Sequence, residues 1–178
     1  MRQNFKIGLF FITLLTLSSP PWAFDDVNVS ANSNTNLSTD LNTDLSTTEL
    51  LDQQLNKAKG KVVYVDFWAS WCIPCRKSFP WMNNLAAQYQ AQGLIILSIN
   101  LDHSRVLADE FLAQIPANFL VIYDPKGSIA RKYQLKGMPS SFIINRQGQI
   151  VSAHVGFNKE KKAAYEQEIK ALLTTTLD

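Results

Sequence analysis

Cysteine is nearly absent from this 178-residue chain: there are two, both in the stretch Trp71-Cys72-Ile73-Pro74-Cys75. A peroxidase route with a separate peroxidatic cysteine is therefore excluded. Histidine is equally scarce. His103 and His154 are not at zinc-finger spacing, and nothing in the sequence places either against Cys72, which argues against structural zinc and against a cysteine hydrolase. An excess of one charge is also missing. The chain carries 17 basic and 15 acidic residues, and without Arg2 and Lys6 the two signs balance at 15 each. The distribution is uneven, with 14 basic and 9 acidic residues over 59–178 against one basic and six acidic over 24–58. With no basic blocks and no interleaved aromatics, this reads as a solvated surface, and nucleic acid is not an expected partner. There are no internal repeats. At 46% hydrophobic and 18% charged, what is present is ordinary for one soluble globular domain with extensions.

The first 23 residues stand apart. Arg2 and Lys6 make a basic start, Ile7 to Leu17 is apolar, and Ser18-Ser19-Pro20-Pro21-Trp22-Ala23 ends on a small residue. This is a secretory signal pattern, and its apolar part is short for a membrane span. Pro21 stands where a small residue is preferred, so an uncleaved anchor is the second reading. No cysteine follows the apolar run, which excludes a lipid-modified N-terminal cysteine. Residues 24–45 are dominated by Asn, Ser, Thr, Asp and Val, too little bulky apolar surface to offset chain entropy, and are expected to form a flexible linker.

The domain is expected over 46–178. Ser46-Thr47-Thr48-Glu49 fits a capping box, opening a short helix to about Ala58 with Leu50, Leu51 and Leu55 on one face. Strands are expected at Val62–Phe67, Leu94–Ile99, Phe119–Tyr123, Ser141–Ile144 and Ile150–Ala153. Helices are expected at 73–92, 104–114 and 126–133, with a last one opening at Asn158 as N-cap. On the long helix, Phe79, Met82, Leu85, Ala86 and Tyr89 recur at helical spacing, Pro80 should kink it, and Gly93 stops it. Arg146-Gln147-Gly148 reads as a hairpin turn. Strand–helix alternation closed by a hairpin and a helix implies an α/β fold around a mixed sheet.

The two thiols are three positions apart, after the hydrophobic run Val62–Trp68 and at the start of a helical pattern. That is the layout of a redox centre. A structural bridge gains by closing a long loop, and this one would constrain little of the unfolded chain. Cys72 would sit at the helix N-terminus, where free N–H groups and the helix dipole favour a thiolate. Pro74 suits the first turn because its missing N–H is not needed there. Cys72 is the expected attacker and Cys75 the resolver that releases substrate from a mixed disulfide. Arg76 and Lys77 add positive charge nearby, though surface is the default for such residues. Asp66, six residues before Cys72 in an apolar strand, would have a raised pKa if buried, which fits it to exchange a proton with Cys75. Trp71 is expected to flank a substrate surface with Ile73 and Pro74, and Trp68 to be core.

Val65-Asp66-Phe67-Trp68-Ala69-Ser70-Trp71-Cys72-Ile73-Pro74-Cys75, Pro80 and Gly137-Met138-Pro139 together resemble the thioredoxin superfamily, over about 59–175. The stretches 79–82 and 139–148 are similar to its exported branch, the TlpA/ResA-like thiol-disulfide oxidoreductases. The resemblance implies a thioredoxin fold with an extra strand–helix insertion at 101–133. It also implies a cis Pro139 facing the dithiol, leaving the Met138 backbone to pair with an extended substrate segment. One departure stands out: many relatives of that branch carry an acidic residue three positions after the second cysteine, where this chain has Ser78.

The expectation is thus an exported thiol-disulfide oxidoreductase, bacterial and periplasmic, reducing disulfide-bearing proteins through Cys72 and Cys75. No cofactor beyond the redox-active pair is expected, because the dithiol carries two electrons. By resemblance, a membrane electron donor would re-reduce it, and the protein would act as a monomer. Two alternatives are a disulfide-donating oxidase or isomerase of the same fold, and a copper metallochaperone in which His154 or Met138 completes a CxxC site.

Overall fold

A computed structural model describes residues 46–175, so the expected signal segment and linker lie outside the described residues. Among the described residues, no helix is long and apolar enough to cross a membrane. The first helix, α1 (Thr47–Lys57), opens as expected: Ser46 Oγ accepts the Glu49 N–H and Glu49 returns the bond to the Ser46 N–H. Leu51 is its fully buried residue.

The strands β1 (Val62–Trp68), β2 (Leu94–Asn100), β3 (Leu120–Tyr123), β4 (Ser140–Ile144) and β5 (Ile150–Val155) form one sheet in the order β3-β2-β1-β4-β5. β1 is central and buried throughout, which is why it reads as an unbroken hydrophobic run. It pairs parallel with β2 and antiparallel with β4. The expected insertion supplies β3 as a parallel edge beside β2, and β5 forms the opposite edge through the hairpin at 145–149. The hairpin turn is braced by Asn145, whose side-chain oxygen accepts the N–H groups of Gln147 and Gln149.

Strand alternation divides the core. Val62, Tyr64 and Trp68 face α2 (Ile73–Tyr89), α3 (Arg105–Gln114) and α5 (Lys159–Thr174). Val63, Val65 and Phe67 face the other way, where Leu51 of α1 and Ile129 of α4 (Ser128–Lys132) pack. The long helix ends three residues earlier than expected, in a short 3-10 turn at Gln90–Gln92, and Gly93 stops it at φ 99°. Only glycine adopts that angle freely, and a Cβ there would lie 3.2 Å from the Arg146 guanidinium. α2 runs unbroken through Pro80, which lies on its exposed side.

An aromatic cluster seats α2 on the sheet. Trp68 of β1 lies 4.7 Å, centroid to centroid, from both Phe79 of α2 and Phe111 of α3, and those two rings are 4.8 Å apart. Edge-to-face contact adds to the area these rings bury. Replacing Phe79 by alanine should cost about 3–5 kcal/mol of stability, read from urea unfolding of the oxidised protein.

Candidate functional site: a dithiol at a helix N-terminus

β1 ends at Trp68, and a three-residue turn carries the chain into α2. Cys72 caps that helix: its N–H donates to the Ala69 carbonyl (3.0 Å) and its sulfur accepts the Cys75 N–H at 3.3 Å. Pro74 takes the first turn, where no donor is required. Cys72 and Cys75 are joined in a disulfide, with S–S 2.03 Å. Cys75 is fully buried and Cys72 is 4% exposed, while the flanking Trp71 and Ile73 project at 67% and 68% exposure. The sequence reading expects attacker, resolver and substrate flank at these positions.

The turn is anchored by a group the sequence reading missed. Asp102, buried just beyond β2, accepts the Ser70 N–H and the Ser70 hydroxyl, both at 2.9 Å, and the Asn100 side-chain amide at 2.8 Å. Asn100 accepts the Asp102 N–H in return. A signal was present: Asn100 and Asp102 are polar residues at the carboxyl end of a parallel strand, where α/β sheets build their sites.

Asp66 lies in the middle of the sheet, on the face that packs against α2, and is 1% exposed. Burial pushes its carboxyl up to about 7, and its Oδ2 has no hydrogen-bond partner. Such a group takes and returns a proton at working pH. Ser78, the departure noted in the sequence, is buried and donates to the Cys75 carbonyl at 2.8 Å. Its hydroxyl is spent on the helix. Arg76 donates to Gln114 and lies 5.1 Å from the centroid of the Phe111 ring, while Lys77 is exposed.

The Met138–Pro139 peptide bond is cis, as the resemblance implied. The loop is held by the Ser140 hydroxyl on the Gly137 carbonyl (2.6 Å) and by the Gly156 N–H on the Pro139 carbonyl (2.7 Å). Pro139 itself is buried. Met138 joins Trp71, Cys72, Ile73, Pro74, Leu101 and Leu135 around an open cavity of about 630 Å³, in which Lys136 is the one charged side chain. The dithiol thus meets solvent through an apolar groove. Among the described residues, no group of three or more His, Cys, Asp or Glu side chains comes together as a metal site. His154 is engaged with Glu168 at 3.1 Å and stacks on Tyr165.

A dithiol at a helix N-terminus, a buried carboxyl in the adjoining strand and a cis-proline loop across an apolar groove define a thioredoxin-fold thiol-disulfide oxidoreductase. The family model described as Redoxin matches residues 28–169, and the chain belongs to that family. It is 33% identical to the thiol-disulfide oxidoreductase ResA of Bacillus subtilis over 103 residues, 58% of each chain. To ResA of Bacillus cereus it is 33% identical over 117 residues, 65% of this chain and 68% of that one. A crystal structure assigned as a thiol:disulfide interchange protein DsbE from Chlorobium tepidum is 53% identical, with a TM-score of 0.66. The match covers 67% of this chain and 84% of that one.

The raised Asp66 carboxyl has a signed consequence for stability. Below the ordinary value of 3.8 the folded and unfolded chains both carry the proton, and its favourable contribution is whole. As pH rises from there the unfolded chain ionises first, so stability falls until the folded carboxyl ionises at about 7. Asp66→Asn should leave stability at pH 4 nearly unchanged and raise it at pH 8 by about 4 kcal/mol. Urea unfolding of the oxidised protein at both pH values checks this.

Proposed function

We propose that this protein is an exported reductase of protein disulfides. The observation that carries this reading is the paired burial of the thiols: Cys72 at the foot of an apolar groove, Cys75 sealed behind it beside the α2-facing side of β1. A client disulfide enters the groove in an extended segment. In support, neither the N–H nor the carbonyl of Met138 is hydrogen-bonded within the described residues, which leaves both for a client backbone. The Cys72 thiolate attacks one client sulfur, and the other leaves as a thiolate that takes a proton. Cys75 then gives its proton to Asp66 and attacks Cys72, closing the internal disulfide and freeing the second client thiol.

Electrostatics supports the reducing direction. Stabilising a thiolate favours the dithiol and makes a protein more oxidising. Here Cys72 has one N–H and the helix end, Arg76 is turned to Gln114 and Phe111, and Asp66 brings negative charge when ionised. The basic-then-apolar N-terminal pattern supports export to a periplasm, by cleavage or as an anchored form. A membrane electron donor then restores the dithiol, and the chain works as a monomer without a dissociable cofactor.

Cys72→Ser should abolish turnover of a protein disulfide, and Cys75→Ser should accumulate mixed disulfides visible on non-reducing gels. Full activity in Cys72→Ser would sink the mechanism. Equilibration with glutathione tests the direction: the protein should stay oxidised until reduced glutathione is in large excess. Ready reduction at low glutathione would make it a disulfide donor instead.

A further inference from the structure

Asp66 and Cys75 are both sealed, at 1% and 0% exposure, so a proton passed between them needs a way out. A client in the groove covers the approach beside Cys72. The sheet register offers another direction. Asp66 stands opposite Ser98 of β2 on one side and Ser141 of β4 on the other, and Ser141 stands opposite His154 of β5. Alternation puts all four on the face that meets α2 and α5. Towards β3 the row stops: Ser98 pairs with Val121, and its buried hydroxyl has no partner. Towards β5 it reaches water, because His154 Nε2 meets Glu168 of α5 at 3.1 Å, with side-chain exposures of 17% and 38%.

Steps between facing positions are about 5 Å, a span that side chains or one water can bridge. The titratable groups that face the row come from three elements. From β1 come Asp66 and Tyr64, whose phenol is held well above its ordinary pKa by burial and then by Asp66. From α2 comes Cys75. From α5 come Glu168 and Tyr165, whose ring lies 4.0 Å from that of His154 and whose hydroxyl is tied to the Gly156 carbonyl. Tyr64, Asp66, Ser98 and Ser141 are a polar strip on a sheet face that also carries Val62, Ile96 and Ile143, with Ile169 of α5 packed against it.

We infer that Asp66, Ser141 and His154, ending at Glu168, form the path by which the proton of the resolving thiol leaves the protein. This rests on Asp66 being the proton partner of Cys75. As the Cys75 sulfur attacks, the Cys72–Cys75 bond forms and the bond from Cys72 to the client sulfur breaks. That electron pair leaves on the client thiolate, and the Cys75 proton goes to the Asp66 carboxylate. Asp66 is restored when it protonates the Ser141 hydroxyl, which hands its own proton to His154. The imidazolium beside Glu168 then releases that proton to water. Ser141 and His154 are positioning residues here, since neither touches the sulfurs.

The test is the rate at which a client thiol is released from a preformed mixed disulfide in a single turnover, followed across pH and in deuterated water. Ser141→Ala and His154→Ala should each slow release about tenfold and enlarge the solvent isotope effect. Ser141→Thr, which keeps the hydroxyl, should retain the rate. Imidazole buffer should restore His154→Ala, a rescue that a packing defect would not show. The glutathione equilibrium should not move, because a path alters rate and not balance. Unchanged release rates would overturn the path. So would slowing that imidazole does not relieve and that comes with a shifted glutathione equilibrium. Asp66→Asn separates the two readings. Full-rate release there removes both, whereas slow release in Asp66→Asn with normal release in Ser141→Ala and His154→Ala removes the path alone.

Discussion

The seating of α2 across the central strand is the interaction on which the rest depends. β1 is buried on both faces, and its last residue, Trp68, is locked between Phe79 and Phe111. With Phe79, Met82 and Leu85 inserted on the sheet, the first turn of α2 has one place to go. That place is the carboxyl end of the parallel strands, beside the loop after β2. Reactivity follows from the seating, since Cys72 is both the cap of the helix and the sulfur at the groove. The same contact seals Cys75, which leaves Cys72 as the sulfur that lines the groove.

Two carboxyls near this junction have opposite fates, and their hydrogen bonds decide which. Asp102 receives three donors and acts as a clamp on the turn that leads into Cys72. Asp66 has an oxygen with no donor at all, and desolvation alone raises it into the range where a proton is exchanged. A fully satisfied carboxylate holds structure, whereas an unsatisfied one holds chemistry at some cost in stability. Ser78 belongs with the first kind. Its hydroxyl is committed to the Cys75 carbonyl.

Much of this was legible in the residues before any fold was known. The apolar run of β1 marked a buried strand, the spacing of Phe79, Met82, Leu85 and Ala86 marked the packed face of α2, and Ser46 with Glu49 marked the start of α1. Cys72, Cys75, Pro74 and Asp66 were readable because each is unusual for its local pattern: thiols at a helix start, a proline where no donor is needed, a carboxyl in an apolar strand. Asp102 was harder to see, since an aspartate in a loop is ordinary until its partners are known. The serines at 98 and 141 were invisible for the same reason. A small polar residue in a strand acquires meaning only from what stands opposite it.

By itself, then, the sequence determined the local facts: which segments are strands and helices, where α2 begins, and that two thiols three residues apart sit at its start. Those depend on periodicity, capping and backbone preference, all set within a few residues. Only the tertiary structure decided the environment of each group. Strand order brought Ser98, Asp66, Ser141 and His154 into one row from four separate segments. It placed Leu101, Leu135 and Met138 around Cys72, and it denied Asp66 a partner. Burial, pKa and access are sums over neighbours distant in the chain, and no local pattern contains them.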